Sequence, residues 1–347
     1  MAALELAANL PYAADARTAA DQAADLEKAG LDTIWVAEAY GFDAVSVLGY
    51  LAARTSRVKL GSAIVNIYSR TPALLGQTAA GLDAISGGRF ILGLGTSGPQ
   101  VIEGWHGLPY DRPLGRTREV VDLVRRILRR EVIEHHGLYD MPLPPEKGGS
   151  LGKPLKILTH PVRDAVPIWI AALGPANVRM TAEIADGWIP TLFLPEKADR
   201  VWGEALAEGR AKRPAELGPL RITAGGLVAV LEDEDEIRRT RDLARPQIAL
   251  YVGGMGARGK NFYNNIARAY GYEKEAALIQ DLYLSGRKKE AEAAVPAEFV
   301  EQMTMVGPAG YVRDRIEAYR AAGVTTLNIN PVGPEPAKVV EQVRNWV

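Results

Sequence analysis

Apolar residues in this chain recur in two rhythms that alternate from one end to the other. Short runs rich in aliphatic and aromatic residues stand near residues 4–10, 33–38, 58–65, 90–95, 167–173, 187–192, 221–231 and 325–331, and each reads as a buried strand. Helical periodicity fills most of the intervals, over 13–29, 71–85, 116–128, 175–185 and 196–208. Two segments echo each other: Leu26-Glu-Lys-Ala-Gly30-Leu-Asp-Thr-Ile-Trp-Val and Tyr319-Arg-Ala-Ala-Gly323-Val-Thr-Thr-Leu-Asn-Ile. Each is a helix stopped by a glycine that can adopt φ > 0, followed at once by an apolar run, so one αβ unit is used twice. Eight strands alternating with helices, with no composition shift to mark a linker, predict an α/β chain. The expected fold is a single (β/α)8 TIM barrel domain over 1–347 rather than an open doubly wound sheet.

A bare barrel needs about 250 residues, which leaves roughly 100 for insertions. The pattern places them after strand 4 (97–112), before strand 5 (132–166) and after strand 7 (247–310). Loops of this length are expected to act as lids and binding elements. The acidic run Glu232-Asp-Glu-Asp-Glu236 reads as a solvated helix start facing the positive end of the helix dipole.

Composition narrows the class. With 47% hydrophobic residues and a net charge of −1, the chain can bury a large core and has no electrostatic reason to seek nucleic acid. It contains no cysteine and four histidines, which excludes disulfides, thiolate metal sites and thiol catalysis and makes a metal centre unexpected. Residues 4–10 follow the start without a basic segment, and no apolar run approaches the roughly 18 residues of a membrane helix. The expectation is a cytoplasmic metabolic protein acting on a small molecule, with no membrane partner.

Two glycine motifs invite a nucleotide reading. Gly93-Leu-Gly95-Thr-Ser-Gly98 has the spacing of the dinucleotide fingerprint, but 99–113 reads as loop where that fingerprint requires a helix. A strand-4 turn that lets backbone approach a bound ring fits better, with a plain structural turn as the alternative. Gly254-Met-Gly-Ala-Arg-Gly259-Lys260 has P-loop spacing, yet Asn261 stands where a magnesium-binding Ser or Thr belongs. A surface loop, or a lid whose Arg258 or Lys260 meets an anion, is the reading there.

Polar residues at strand ends make a stronger constellation. Asn9 ends strand 1, Glu38 ends strand 2, Ser62 and Asn66 bracket the end of strand 3, Thr96 and Ser97 follow strand 4, Gly174 follows strand 5 and Thr191 follows strand 6. In a barrel these converge on one face. They contain no Ser/His/Asp set and no carboxylate pair, so hydrolysis is not indicated, and a site poor in acids and bases suits chemistry carried by a cofactor. Adjacent His135 and His136 point apart and read as loop residues, while His160 and His106 read as packed or surface side chains near a mouth.

Several segments together resemble the bacterial luciferase-like flavin and deazaflavin oxidoreductases. They are Trp35-Val-Ala-Glu-Ala, Leu60-Gly-Ser-Ala-Ile-Val-Asn-Ile-Tyr-Ser-Arg-Thr-Pro72, Ser86-Gly-Gly-Arg-Phe-Ile-Leu-Gly-Leu-Gly95, Ala171-Ala-Leu-Gly-Pro175, Ala185-Asp-Gly-Trp188 and Val306-Gly-Pro. The likeness is strongest to the coenzyme F420-dependent branch, with methylenetetrahydromethanopterin reductase and F420-dependent glucose-6-phosphate dehydrogenase. It implies a TIM barrel, commonly a homodimer, that binds F420, with a nonprolyl cis peptide joining Ala63 to Ile64 in a bulge behind the deazaflavin. It further implies cofactor contacts at Glu38, Ser62, Ala63, Ile64, Asn66, Thr96, Ser97, Ala172, Leu173 and Gly174.

The departures bear on the substrate. Ala39, Gly98 and Leu194 stand where the sugar-phosphate enzymes have a His, a Glu and a phosphate-holding Lys, and Asn9 stands where the methanopterin reductase has a Glu. The substrate pocket is expected to be walled by Asn9, Trp105, Tyr110, Thr191 and the insertion after strand 7, with Tyr68, His106 or water as proton source. The leading reading is an F420-dependent oxidoreductase transferring a hydride between C5 of the deazaflavin and an organic substrate. An FMN-dependent monooxygenase on the same fold and a deazaflavin-binding protein without catalysis are the alternatives.

Overall fold

The computed structural model describes residues 3–10 and 15–347. Eight strands form a closed, all-parallel barrel: β1 (Glu5–Asn9), β2 (Thr33–Val36), β3 (Lys59–Ser62), β4 (Phe90–Gly95), β5 (Ile168–Ala171), β6 (Gly187–Ile189), β7 (Arg221–Val230) and β8 (Thr326–Pro331). Each pairs with its sequence neighbours, and β8 closes the ring on β1 with Ala7 beside Asn328. All eight lie where the hydrophobic runs placed them. The echo in the sequence is also real in space, since Gly30 and Gly323 both have positive φ, at 101° and 85°.

Helices fill the outside. Asp15 caps the helix Ala16–Lys28, Asp43 caps Ala44–Arg54, and Thr71 caps Pro72–Ser86, each through a side-chain oxygen that accepts a backbone N–H. Residues 13 and 14, expected in the first helix, lie outside the described residues. Leu6, Ile34, Val36, Leu60, Leu92, Ile170 and Leu327 face outward to these helices and make the main core.

Inside the ring the packing is different. Trp35 and Trp169 fill the barrel with their rings 5.2 Å apart, beside Ala7 and Ile91. Two glycines make the room: a Cβ on Gly61 would sit 2.1 Å from the Trp35 ring, and one on Gly187 would sit 2.1 Å from the Trp169 ring.

The insertions carry more structure than loops. Residues 99–113, read as loop, begin with a helix, Pro99–Gly104; proline at its first position fixes a helical φ and needs no N–H partner. β4 is still one stave of a closed barrel, so the described residues form no open-sheet crevice of the dinucleotide-binding kind. His135–His136, read as loop, pairs antiparallel with Asp140–Met141. The segment after β7 folds into the helices Arg245–Ala249, Phe262–Ala269, Glu273–Leu284, Lys288–Ala293 and Ala297–Gln302, joined by a π-helical turn at Leu250–Gly254. It ends in a short strand, Met305–Gly307, that pairs with Val228–Val230 beyond the rim of β6. The acidic run starts the helix Glu234–Asp242 with Asp233 as its cap. No helix among the described residues is long and apolar enough to cross a membrane.

Candidate active site

The strand that carries the longest family-like segment is broken at its end. Leu60 faces Phe90 and Gly61 faces Ile91, but further along the same partner strand Val65 faces Leu94 and Asn66 faces Gly95, so the β3 side has one residue more than its partner. That is a bulge, and it falls on Ala63 and Ile64, whose peptide bond is cis. Ala63 is tied back by its N–H to the Val36 carbonyl at 2.7 Å. The Ile64 side chain lies over Gly95, where a Cβ would come 2.8 Å from Cδ1 and 3.6 Å from the Ala171 methyl. Ala63, Gly95 and Ala171, from three consecutive strands, therefore make a floor of small residues at the carboxyl end of the barrel.

Asn66 organises the rim beside this floor. Its Oδ1 accepts the N–H groups of Tyr68 (3.1 Å) and Ser69 (2.7 Å), which fixes the amide so that Nδ2 faces His106 Nε2 at 3.2 Å. Nδ2 can only donate, so this hydrogen bond uses His106 Nε2 as its acceptor. Thr96 accepts the Tyr110 hydroxyl at 3.2 Å and donates to the Ser97 carbonyl. Ser97 has φ 53°, a left-handed turn that swings the chain from β4 into the helix Pro99–Gly104.

The end of β5 is pinned from behind. The indole N–H groups of Trp188 and Trp202 donate to the Ala172 and Leu173 carbonyls, both at 2.9 Å. Gly174 caps the helix Pro175–Ile184 and carries the ring of Phe262, which a Cβ there would meet at 2.9 Å. The insertion after β7 thus reaches the mouth. On the opposite side Trp105 and Tyr40, both about two-thirds exposed, lie 6.4 Å apart. Thr191 is half-buried after β6, and the Asn9 N–H donates to the Asn330 side chain at 3.1 Å.

Three expected site residues already hold partners within the protein. Glu38 is held by Arg70 in a two-pronged pair at 2.6 and 2.9 Å and accepts the Ala44 N–H, so it anchors a helix start. The Ser62 hydroxyl is fully buried and bridges the Gly93 carbonyl and N–H, both at 2.9 Å. Tyr68 donates its hydroxyl to the Asp111 carbonyl at 2.9 Å, and burial, reinforced by Tyr110, pushes its phenol far above the usual range. Leu194 is wholly buried. His135 binds Glu119, and His160 lies against Arg130, both away from this face. Asn261 caps the helix Phe262–Ala269, which removes the P-loop reading, while Arg258 meets Asp281.

Arg70, Asp111 and Asn330 were not anticipated. Asn330 obeys the same strand-end rule that singled out Asn9. Arg70 lay within the quoted segment, but its partner is 32 residues away, and no local pattern pairs the two.

The residues present fit a flat heterocycle that brings its own redox chemistry. The floor admits a planar ring, the rim offers amide and hydroxyl groups, and the carboxylates placed there, Glu38 and Asp111, are matched by Arg70 and Arg116. The family model for luciferase-like monooxygenases matches residues 2–326. A Mycobacterium tuberculosis protein assigned as a coenzyme F420-dependent oxidoreductase is 40% identical over 332 residues, covering 94% of this chain and 92% of that one. The 5,10-methylenetetrahydromethanopterin reductase of Archaeoglobus fulgidus is 28% identical, covering 91% and 90%. The structure of the F420-dependent tetrahydromethanopterin reductase of Methanopyrus kandleri superposes with a TM-score of 0.79 at 25% identity, covering 100% of this chain and 99% of that one. The chain belongs to the luciferase-like monooxygenase family and, within it, to the F420-dependent oxidoreductases.

Proposed function

We propose that the protein binds F420 on the floor of Ala63, Ile64, Gly95 and Ala171 and transfers a hydride between the deazaflavin and an organic substrate. When bound, the cofactor supplies the hydride acceptor or donor at C5. Asn66, Thr96, Ser97 and the pinned backbone 172–174 hold the ring edge, and the bulge at Ala63 and Ile64 sets its height above the barrel. His106 presents an Nδ1 proton to a substrate oxygen, Asn9 and Asn330 hold polar substituents, and Trp105, Tyr40 and Phe262 exclude water.

The observation that carries this reading is the bulge and its small-residue floor, beside a rim whose charged groups are already matched. The 40% identity to the mycobacterial relative supports F420 over FMN. The exposed apolar residues Leu151, Leu155, Leu158 and Val162 in the second insertion support a homodimer. Reduced F420 mixed with a panel of ketones, aldehydes and enones should be oxidised by at least one. Tight binding without turnover on any of them, in either direction, would favour the non-catalytic alternative.

A further inference from the structure

The opposite end of the barrel holds a second cavity, of about 370 Å³, at the amino ends of β3 to β7. Its lining is dominated by cations: Arg57, Lys59, Arg89, Arg163 and Arg221, with Asp186 the acid among them. Their counter-charges fall short. Lys59 and Arg221 share the one carboxylate of Glu5, at 2.7 and 2.5 Å. Arg163 takes the buried Asp83, and Asp186 is matched by Arg125 at 3.0 Å.

Among the described residues, no carboxylate lies within ion-pairing distance of Arg57 or Arg89. Arg57, exposed at the mouth, gives one N–H to the Glu27 carbonyl at 3.1 Å. Arg89 spends all of its N–H groups on the carbonyls of Ser86, Val58, Ala52 and Thr55 and on the Thr55 hydroxyl. A half-buried guanidinium solvated only by neutral oxygens keeps its full charge, and burial lowers its pKa, with the Coulombic pull of Glu27 opposing that shift. The concave wall sums these fields at one place, and the indole of Trp169, with Arg221 5.6 Å from its centroid, supplies an apolar side.

We propose that this cavity is a binding site for a small organic polyanion, one carrying two or three carboxylate or phosphate groups on a compact carbon frame. Arg57 and the Lys59 ammonium, which has donors beyond its bond to Glu5, make the direct contacts. Arg89 and Arg221 supply field without moving. The site is separate from the catalytic face, where guanidinium groups are already paired with carboxylates.

The test is calorimetric titration of the full chain with citrate and, separately, with inorganic pyrophosphate, against sodium chloride at matched ionic strength. At least one polyanion should give a saturable isotherm, and the stronger of the two decides between carboxylate and phosphate. Arg57→Glu should weaken it by about tenfold or more, and Arg57→Gln by less. Arg57 is exposed and makes no carboxylate pair among the described residues, so Arg57→Gln should melt close to the parent, Arg57→Glu should stay folded with a small loss from its new charge beside Glu27, and both should bind F420 unchanged. Heats that do not saturate for either polyanion up to about 10 mM, or an Arg57→Glu isotherm equal to the parent's, overturn the proposal. The titration needs no deazaflavin, so its failure leaves the reading of the catalytic face intact.

Discussion

The two ends of the barrel treat arginine in opposite ways. At the carboxyl end Arg70 is locked between Glu38 and Asp43, and Arg116 is matched by Asp111 while stacking on Tyr68 and Tyr139. At the amino end Arg57 and Arg89 face carbonyls and a hydroxyl, and the nearby Glu27 spends its carboxylate on the N–H groups of Ser56, Arg57 and Val58. A face whose charges cancel leaves a reacting cofactor in an environment made by shape and neutral dipoles. A face whose charges do not cancel attracts an anion. Sequence position at a strand end is therefore only half of a functional argument; the other half is whether each charge is already matched.

The sharpest way to break the catalytic face is through its backbone approach. A Cβ on Gly93 would sit 1.7 Å from the Ser62 carbonyl oxygen, an atom that cannot swing aside. Gly93→Ala should cost about 3 kcal/mol or more, or prevent folding, as urea denaturation would report. Arg70→Ala leaves Glu38, 8% exposed, without its cation and should cost about 3 kcal/mol. Glu38→Gln should keep turnover within about threefold while losing stability; loss of turnover in a stable protein would return Glu38 to the chemistry.

At the amino end the contrast is sharpened by pH. Burial pushes the Glu27 carboxyl up, but the bonds from Val58, Arg57 and Ser56 together outweigh it and hold it below its ordinary 4.5. Its contribution is thus complete above that value and fades as the pH falls through the lower, folded-state value. The stability gap between the parent and Glu27→Gln should narrow over that same acid window and stay constant from pH 6 to 8. The smallest effect belongs to Tyr68→Phe, which removes one bond to the Asp111 carbonyl: about 1 kcal/mol in denaturation, with the pH profile of turnover unmoved.

Much of this was legible in the sequence. The eight staves follow from apolar runs bounded by turns, and the Ala63–Ile64 bulge follows from the family-like segment. What was missed depends on distance or on short elements. The strand Met305–Gly307 has three residues, too few for any periodicity. The helix Pro99–Gly104 hid behind a proline that reads as a breaker yet suits the first helical position. The bridge that the Ser62 hydroxyl makes to Gly93, 31 residues away on the next strand, has no local signature.

The central claim is that the small-residue floor at β3 to β5 receives F420. Parallel titration of the purified chain with F420 and with FMN, followed by fluorescence quenching, tests it most directly. The account predicts saturable F420 binding, with FMN weaker by at least about tenfold. Tight FMN binding with no binding of F420 would contradict it.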